Sequence, residues 1–399
     1  MGKELILYVT LSLLSTNSIC QGFVGKVIDS ITKEPIPFAH VYLRLGAGTI
    51  SNESGDFNLE TNISKSDSII ISHVSYESIK IPFNSDPKHY IFELSPLSIT
   101  LSEVIIYDKG YIDEFIEKVY QRIKKNDKAN FGKAFYRQIT YANKTPTEIQ
   151  EIFLDISYSA RGLKKYSSSE ARYAKKVSTK ENPIVSMSNQ LYLVLGFDLT
   201  PDAKRDFKKP FDEDFKTEID FTIIGSYASK NNEFLEFSYK PRNSNYGMEG
   251  TLTINKKNYC ICKFTGNTKN SLGMDTLRSS VKNEVATNHH FSWDVGFDCE
   301  DNSNPALIYS IVKTSFTASV YGKIEVDSKL IVYERKHKSI KNLKEFEITQ
   351  KDMDVIKSTK YHPKFWKNNE IVKRTPIEKK IIESFEGSNS FGNYKLQNR

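Results

Sequence analysis

The sequence predicts a mainly β protein in two unequal parts, on three observations. Short alternating strands punctuated by turn residues fill residues 23–107. The apolar period then switches from two to that of a helix. From about residue 131 to 350, strand-like segments rich in Tyr and Phe follow one another with few helices between them. The expected architecture is a small antiparallel N-terminal β-sandwich over 21–107, a linking helix over 108–130, a larger curved antiparallel sheet with a few helices over 131–350, and a helical segment and tail over 351–399.

Ahead of the sandwich, Lys3 opens an apolar run over residues 5–14 that is too short to span a bilayer, and Ser18 and Cys20 place small residues before Gln21. This pattern predicts a signal peptide over 1–20, cleaved between Cys20 and Gln21. The rival expectation is lipidation of Cys20, against which the bulky Ile19 stands. No later run is long and apolar enough for a membrane helix, and 39% hydrophobic with 26% charged residues is an ordinary globular balance. The expected location is therefore outside the cytoplasm, in a periplasm or at an outer-membrane surface. The net charge of +7 is concentrated in the lysines between Lys336 and Lys367. Export removes nucleic acid as a partner, so this excess reads as a solvated basic surface that faces water, anionic lipid or glycan.

Within the sandwich, residues 23–29 read as a first strand, and the turn through Thr32 and Glu34 reaches Pro35. Alternation at Ala39, Val41 and Leu43 then marks a half-buried second strand. Residues 49–59 read as a hairpin around Asn52, Glu53, Ser54 and Gly55, the glycine supplying a positive φ. Further strands are expected at 68–72, 77–83 and 89–94, and 101–107 leads out. The succession of Gly25, Val27, Asp29, Pro35, Pro37 and Val41, then Gly48, Asn52, Gly55 and Phe57, then His73, Val74 and Tyr76, then Leu101, Glu103 and Val104 resembles the carboxypeptidase-regulatory-like domain of Bacteroidetes envelope proteins. Ser75 departs from it, standing where many members have glycine. The resemblance implies a seven-stranded Greek-key sandwich of transthyretin-like topology, often found ahead of TonB-dependent receptors. It does not imply peptidase chemistry, because none of the seven histidines stands in a zinc-peptidase spacing, and adjacent His289 and His290 face opposite sides of a strand.

Ile112, Phe115, Ile116, Val119, Tyr120 and Ile123 follow helical spacing, so the linking helix is expected to bury this stripe. Beyond it, strands are expected at 135–141, 149–158, 218–227, 234–239, 250–254, 259–265, 308–316 and 321–333. Asn255 to Asn258 form a turn, and Thr200 with Pro201 starts a short inserted helix. Such a sheet resembles the lipoprotein-carrier half-barrels in architecture. A membrane barrel is disfavoured, since Lys and Glu recur on both faces of several strands and the chain ends in a polar tail at 395–399. Near the end, Thr375, Pro376 and Glu378 form an N-cap, a first-position proline and a capping box; Ile377, Ile381, Ile382 and Phe385 are the expected buried face, and Gly387 the stop. The run of Phe365, Trp366, Ile371 and Val372 is similar to the closing segment of two-part Bacteroidetes envelope proteins.

Three cysteines survive cleavage. A period of two puts Cys260 and Cys262 on the strand face of Phe264, where buried thiols act as small hydrophobes. Alternatively one of them bridges Cys299 in an oxidising compartment and leaves an odd thiol, with Cys262 and Cys299 the candidate pair. A one-residue spacing does not suit zinc. Asp212, Glu213 and Asp214, and likewise Asp298, Glu300 and Asp301, lack the ligand spacing of a calcium loop and read as exposed loops. No nucleophile elbow or phosphate loop occurs, so the sequence assigns no catalytic, cofactor-binding or metal residue. The expected function is that of a non-enzymatic envelope protein binding a lipid, glycan or protein partner through the concave face of its larger sheet. The alternatives are a hydrolase or peptidase with a site assembled from distant residues, and an accessory of a TonB-dependent nutrient-uptake complex.

Overall fold

The computed structural model describes residues 23–43, 47–59, 68–82, 90–99, 107–125, 128–159, 162–176, 186–187, 190–196, 215–228, 232–242, 247–269, 286–299, 305–336, 338–345 and 351–392. The segment expected to be a signal peptide, with Cys20 and Gln21, the start of the helix expected at Thr200 and Pro201, the acidic run at 212–214, Glu300, Asp301 and the 395–399 tail lie outside the described residues. Among those described, the fold is mainly β, with two small sheets and one large antiparallel one.

One small sheet holds β1 (Phe23–Asp29), β4 (Asp56–Leu59) and β7 (Tyr90–Leu94); the other holds β2 (His40–Leu43), β3 (Gly48–Ile50), β5 (Ser68–His73) and β6 (Tyr76–Pro82). Burial alternates strictly along β1, and Val27, Val41, Phe57 and Ile71 meet between the sheets in one core. Two details depart from the sequence expectation. β1 and β7 run parallel, and residues 49–59 are not a hairpin, because β3 and β4 belong to opposite sheets. The reason lies in the turn between them. The Asn52 side chain accepts from the amides of Ser54 and Asp56, and Gly55, at φ +77°, is pressed against β1, where a Cβ would collide with the Val27 carbonyl. The chain thus crosses from one sheet to the other.

The large sheet contains β8 (Ser98–Ile99), β9 (Asn130–Ala142), β10 (Thr145–Ser159), β11 (Gly162–Lys175), β12 (Ile219–Ala228), β13 (Glu233–Pro241), β14 (Gly247–Asn255), β15 (Ile261–Lys269), β16 (Ala286–Asp298), β17 (Ala306–Ala318), β18 (Gly322–Lys336) and β19 (Lys344–Glu345). Its order is β19-β11-β10-β9-β18-β17-β16-β15-β14-β13-β12-β8. Every expected strand is present. β11 and β16 were not expected from the sequence: a Ser-Ser-Ser-Glu stretch interrupts the apolar alternation of β11, and a bulge between Thr287 and His290 breaks that of β16. The Asn255 turn is present, with its side chain accepting from the amides of Lys257 and Asn258. β8 pairs with β12, so the chain joins the large sheet before the linking helix begins.

Four helices belong to one side of this sheet: α1 (Lys109–Lys125), α2 (Gln190–Gly196), α3 (Phe215–Glu218) and α4 (Asp352–Ser358). The apolar stripe of α1 is buried as expected from Phe115 to Ile123, with Ile112 half-buried, and it joins the core that includes Phe237, Leu252 and Trp293. Because side chains alternate along a strand, Tyr136 and Ile152 of β9 and β10 face these helices, while Phe135 and Phe153 face the other way. On that second side lie the sandwich, through Phe38 and Ile50, then α5 (Pro363–Asn368) with Trp366, then α6 (Pro376–Gly387). The 351–392 segment is therefore built into both faces of the large sheet.

The capping box of α6 is formed in both directions between Thr375 and Glu378. Its buried face is shifted from the expected one, since Ile381, Ile382 and Phe385 are buried but Ile377 is 69% exposed. Glu378 takes the inward place because Arg137 and Lys329 on the sheet bind its carboxylate.

Candidate functional site

The site is built where α1 crosses the β12 end of the sheet. Phe115 anchors the helix, its ring 5.5 Å from Phe237 and 5.2 Å edge-on from Tyr259. Beside this anchor a cleft of about 620 Å³ remains open between α1 and β12. Ile112, Ile116, Ile219 and Phe221 give it an apolar wall continuous with the main core. Its polar lining balances Lys109, Lys216 and Arg242 against Asp113, Glu117 and Asp220. Lys216 lies 2.5 Å from Glu117 and Arg242 lies 3.1 Å from Asp220. The Lys216 hydrogen bond holds the Glu117 carboxyl below the usual range. Such exposed pairs are weak and exchangeable, so an incoming charged head group can displace either partner.

On the same face, farther along the sheet, lies a buried polar cluster. Asp352, at the start of α4, accepts from the amides of Gln190 and Leu191 at 3.1 Å and so caps α2 from another part of the chain. Tyr136 lies 3.4 Å from the same carboxyl and donates to Gln138. Glu148 accepts from Ser186, the Met187 amide and Thr140, and Gln138 and Gln150 both donate to the Met187 carbonyl. With burial dominating and no cation in contact, Asp352 is pushed up to about 7, and Glu148 is raised as well. The cluster clips Ser186, Met187, Gln190 and Leu191 to the sheet and to α4.

The opposite face of the same strands carries a charged network. Arg137 binds Glu151 at 2.7 Å and Glu378 at 3.2 Å; Arg172 also binds Glu151; and Lys329 bridges Glu378 at 2.7 Å to Glu53 of the sandwich at 2.8 Å. The Arg172 guanidinium stacks between Trp366 and Phe391. Despite complete burial, Glu151 is held low by the two arginines, and Glu378 falls to about 2 beside Arg137 and Lys329. Thr49 donates to the Ile371 carbonyl at 2.7 Å, tying sandwich, C-terminal segment and sheet into one seam. Neither cluster was identified from the sequence. A glutamate inside an apolar strand was the available signal at Glu148 and Glu151, and their odd spacing assigns them to opposite faces.

The cysteines lie on the sandwich side, with Leu97 and Phe234. The structure joins Cys262 to Cys299, their Cα atoms 5.5 Å apart, and leaves Cys260 as a buried thiol pushed up to about 12 by burial. A bulge overturns the expectation that both cysteines share the face of Phe264. Thr253 pairs with Lys263 and Ile254 with Ile261, so Cys262 is the extra residue and turns away from Ile261 and Phe264. Next to the disulfide a cavity of about 190 Å³, lined by Phe38, His73, Tyr76 and Tyr309 among others, separates sandwich and sheet. Asp298 is paired with Arg335 at 2.7 Å. His289 is buried against Phe316 while His290 points outward, and among the described residues no group of three or more His, Cys, Asp or Glu side chains could hold a metal ion. Nor is any helix among them long and apolar enough to cross a membrane.

With the three-stranded and four-stranded sheets in view, comparison with known proteins agrees on this part of the chain. Residues 23–106 match the CarboxypepD_reg-like domain. The match covers the whole of the sandwich, includes β8 and ends before the linking helix. No curated protein matches the chain. Among solved structures it is similar to the LolA superfamily protein NE2245 from Nitrosomonas europaea, with 12% identity over 55% of this chain and 92% of that one, at a TM-score of 0.21. That score carries no inference about the function of this chain.

Proposed function

We propose that the chain is a non-enzymatic binding protein of the cell envelope, in which the CarboxypepD_reg-like module braces a large sheet and the cleft between α1 and β12 takes an amphipathic lipid. The observation that carries the reading is the cleft itself. Its volume suits an acyl chain, one of its walls is apolar, and its charged pairs can exchange with a polar head group. The two buried polar clusters support the same reading from the other direction, because their carboxyl groups hold parts of the structure together and do not line the cleft.

Organic extraction of natively purified protein followed by mass spectrometry is expected to recover a lipid. Ile112→Trp, which fills the cleft, should weaken binding of a fluorescent fatty acid by about tenfold or more, as overpacking a preformed pocket does. Ile91→Trp, on the exposed side of the sandwich, should not. Absence of extractable lipid together with unchanged probe binding in Ile112→Trp would overturn the proposal.

A further inference from the structure

Residues 338–367 contain eight lysines and four acids, Glu345, Glu347, Asp352 and Asp354, a net of +4 within a chain whose total is +7. The fold places the described residues of this run that meet β11 along one rim. Lys344 pairs with Tyr166 of β11, and the Lys360 carbonyl accepts from the amide of Ala171, five residues farther along the same strand, about 17 Å away at strand rise. Between these points the chain passes from the helix-bearing face, through α4, over the edge of β11 to α5 on the sandwich-bearing face. It is fixed there by Ser168 against Thr359 and by Glu170 against His362. All eight lysines are exposed, and among the described residues none is ion-paired with a carboxylate. The acids do not offset them: Glu345 is engaged by Lys165, Asp352 is buried, and Asp354 is the one exposed acid left on the described part of the rim. Half-buried Tyr361 and Phe365 interrupt the lysines where the chain turns over the edge.

We infer that this rim is a docking surface for an anionic phospholipid membrane. A folded edge spanning about two Debye lengths presents its charge as one patch, and a planar array of phosphates is the partner that can meet many ammonium groups at once. Aromatic side chains beside lysines suit the boundary between head groups and water. The inference concerns a surface separate from the cleft and stands whether or not the cleft holds lipid.

The test is flotation of the full mature chain with phosphatidylcholine vesicles, with and without phosphatidylglycerol. Binding is expected only to the anionic vesicles and is expected to fall steeply as salt rises. Replacing Lys357, Lys360, Lys364 and Lys367 by Gln should weaken it by about a hundredfold, since each basic residue near such a surface contributes a severalfold factor. The equal-charge control, Gln at Lys80, Lys125, Lys240 and Lys257, should leave it nearly unchanged, with both variants keeping the native circular dichroism spectrum. Equal binding to neutral vesicles, equal loss in the control, or tighter retention by a sulfated polysaccharide than by the anionic vesicles would each overturn the inference.

Discussion

Strands β9 and β10 carry buried carboxyl groups on both of their faces, and the two faces stabilise them in opposite ways. Towards the helices, Asp352 and Glu148 have hydroxyl, amide and backbone partners and no cation in contact, so burial raises both. Towards the sandwich, Glu151 and Glu378 sit among Arg137, Arg172 and Lys329, and both are lowered. Three cations decide the difference. A cation within contact distance favours the charged form more than burial disfavours it, while hydrogen bonds from neutral groups alone leave burial in control. The sandwich face is therefore a lock between parts of the chain, and the helix face is a clip that prefers to be uncharged.

The largest expected effect breaks the lock. Glu151→Gln leaves two buried guanidinium groups without their shared carboxylate, and urea unfolding should show a loss of about 3–5 kcal/mol. A loss under 1 kcal/mol would mean that water reaches the network and that the contrast between the faces is not one of burial. Next, Cys262→Ser with Cys299→Ser removes a link across 37 residues beside the same seam. About 2–4 kcal/mol should be lost, and thiol titration of the denatured wild-type mature chain should find one reactive group before reduction and three after.

The pH dependence sharpens the comparison, because the two faces contribute with opposite sign. Asp352 binds its proton more tightly folded than unfolded, so its contribution is complete below its ordinary value of 3.8 and is lost as pH rises through about 7. Glu378 is the reverse, contributing fully above 4.5 and losing its contribution as pH falls towards about 2. Asp352→Asn should flatten the decline in unfolding free energy between pH 4 and 7, by about 1.4 kcal/mol for each pKa unit removed. Parallel wild-type and variant profiles across that range would refute the assignment of Asp352 to a clip without a cation. The smallest effect is expected at Ile377→Ser, within about 0.5 kcal/mol, since this exposed side chain lies outside both clusters.

Most of the fold was legible because its signals are local. The alternation of β1, the helical spacing of α1 and the Thr375 to Glu378 box each lie within a dozen residues. What was not legible depends on partners far away in the chain. Residues 49–59 look like a hairpin until β1 is available to receive Gly55 and β4, and Cys262 shares a face with Phe264 until a bulge is inserted. Ile377 reads as a core residue because nothing near it reveals that Arg137 and Lys329, some 240 and 50 residues earlier, will draw Glu378 inward instead. The cleft was legible only as an apolar face on a helix. Its opening depends on how α1 lies against β12, which no periodicity specifies.

The two ends of the large sheet differ from its middle. Strands of nine to fifteen residues fill the interior, whereas β8 and β19 at the margins have two residues each, and the chain around Thr359 to His362 meets β11 from Ser168 to Ala171. At the ends where β8 and β19 pair, and where Lys360 meets Ala171, backbone groups of the outer strands are occupied, which leaves another chain a shorter template on which to add a strand. A sheet of this width would otherwise end in two long borders, and its two-residue marginal strands leave less of either border regular enough to copy.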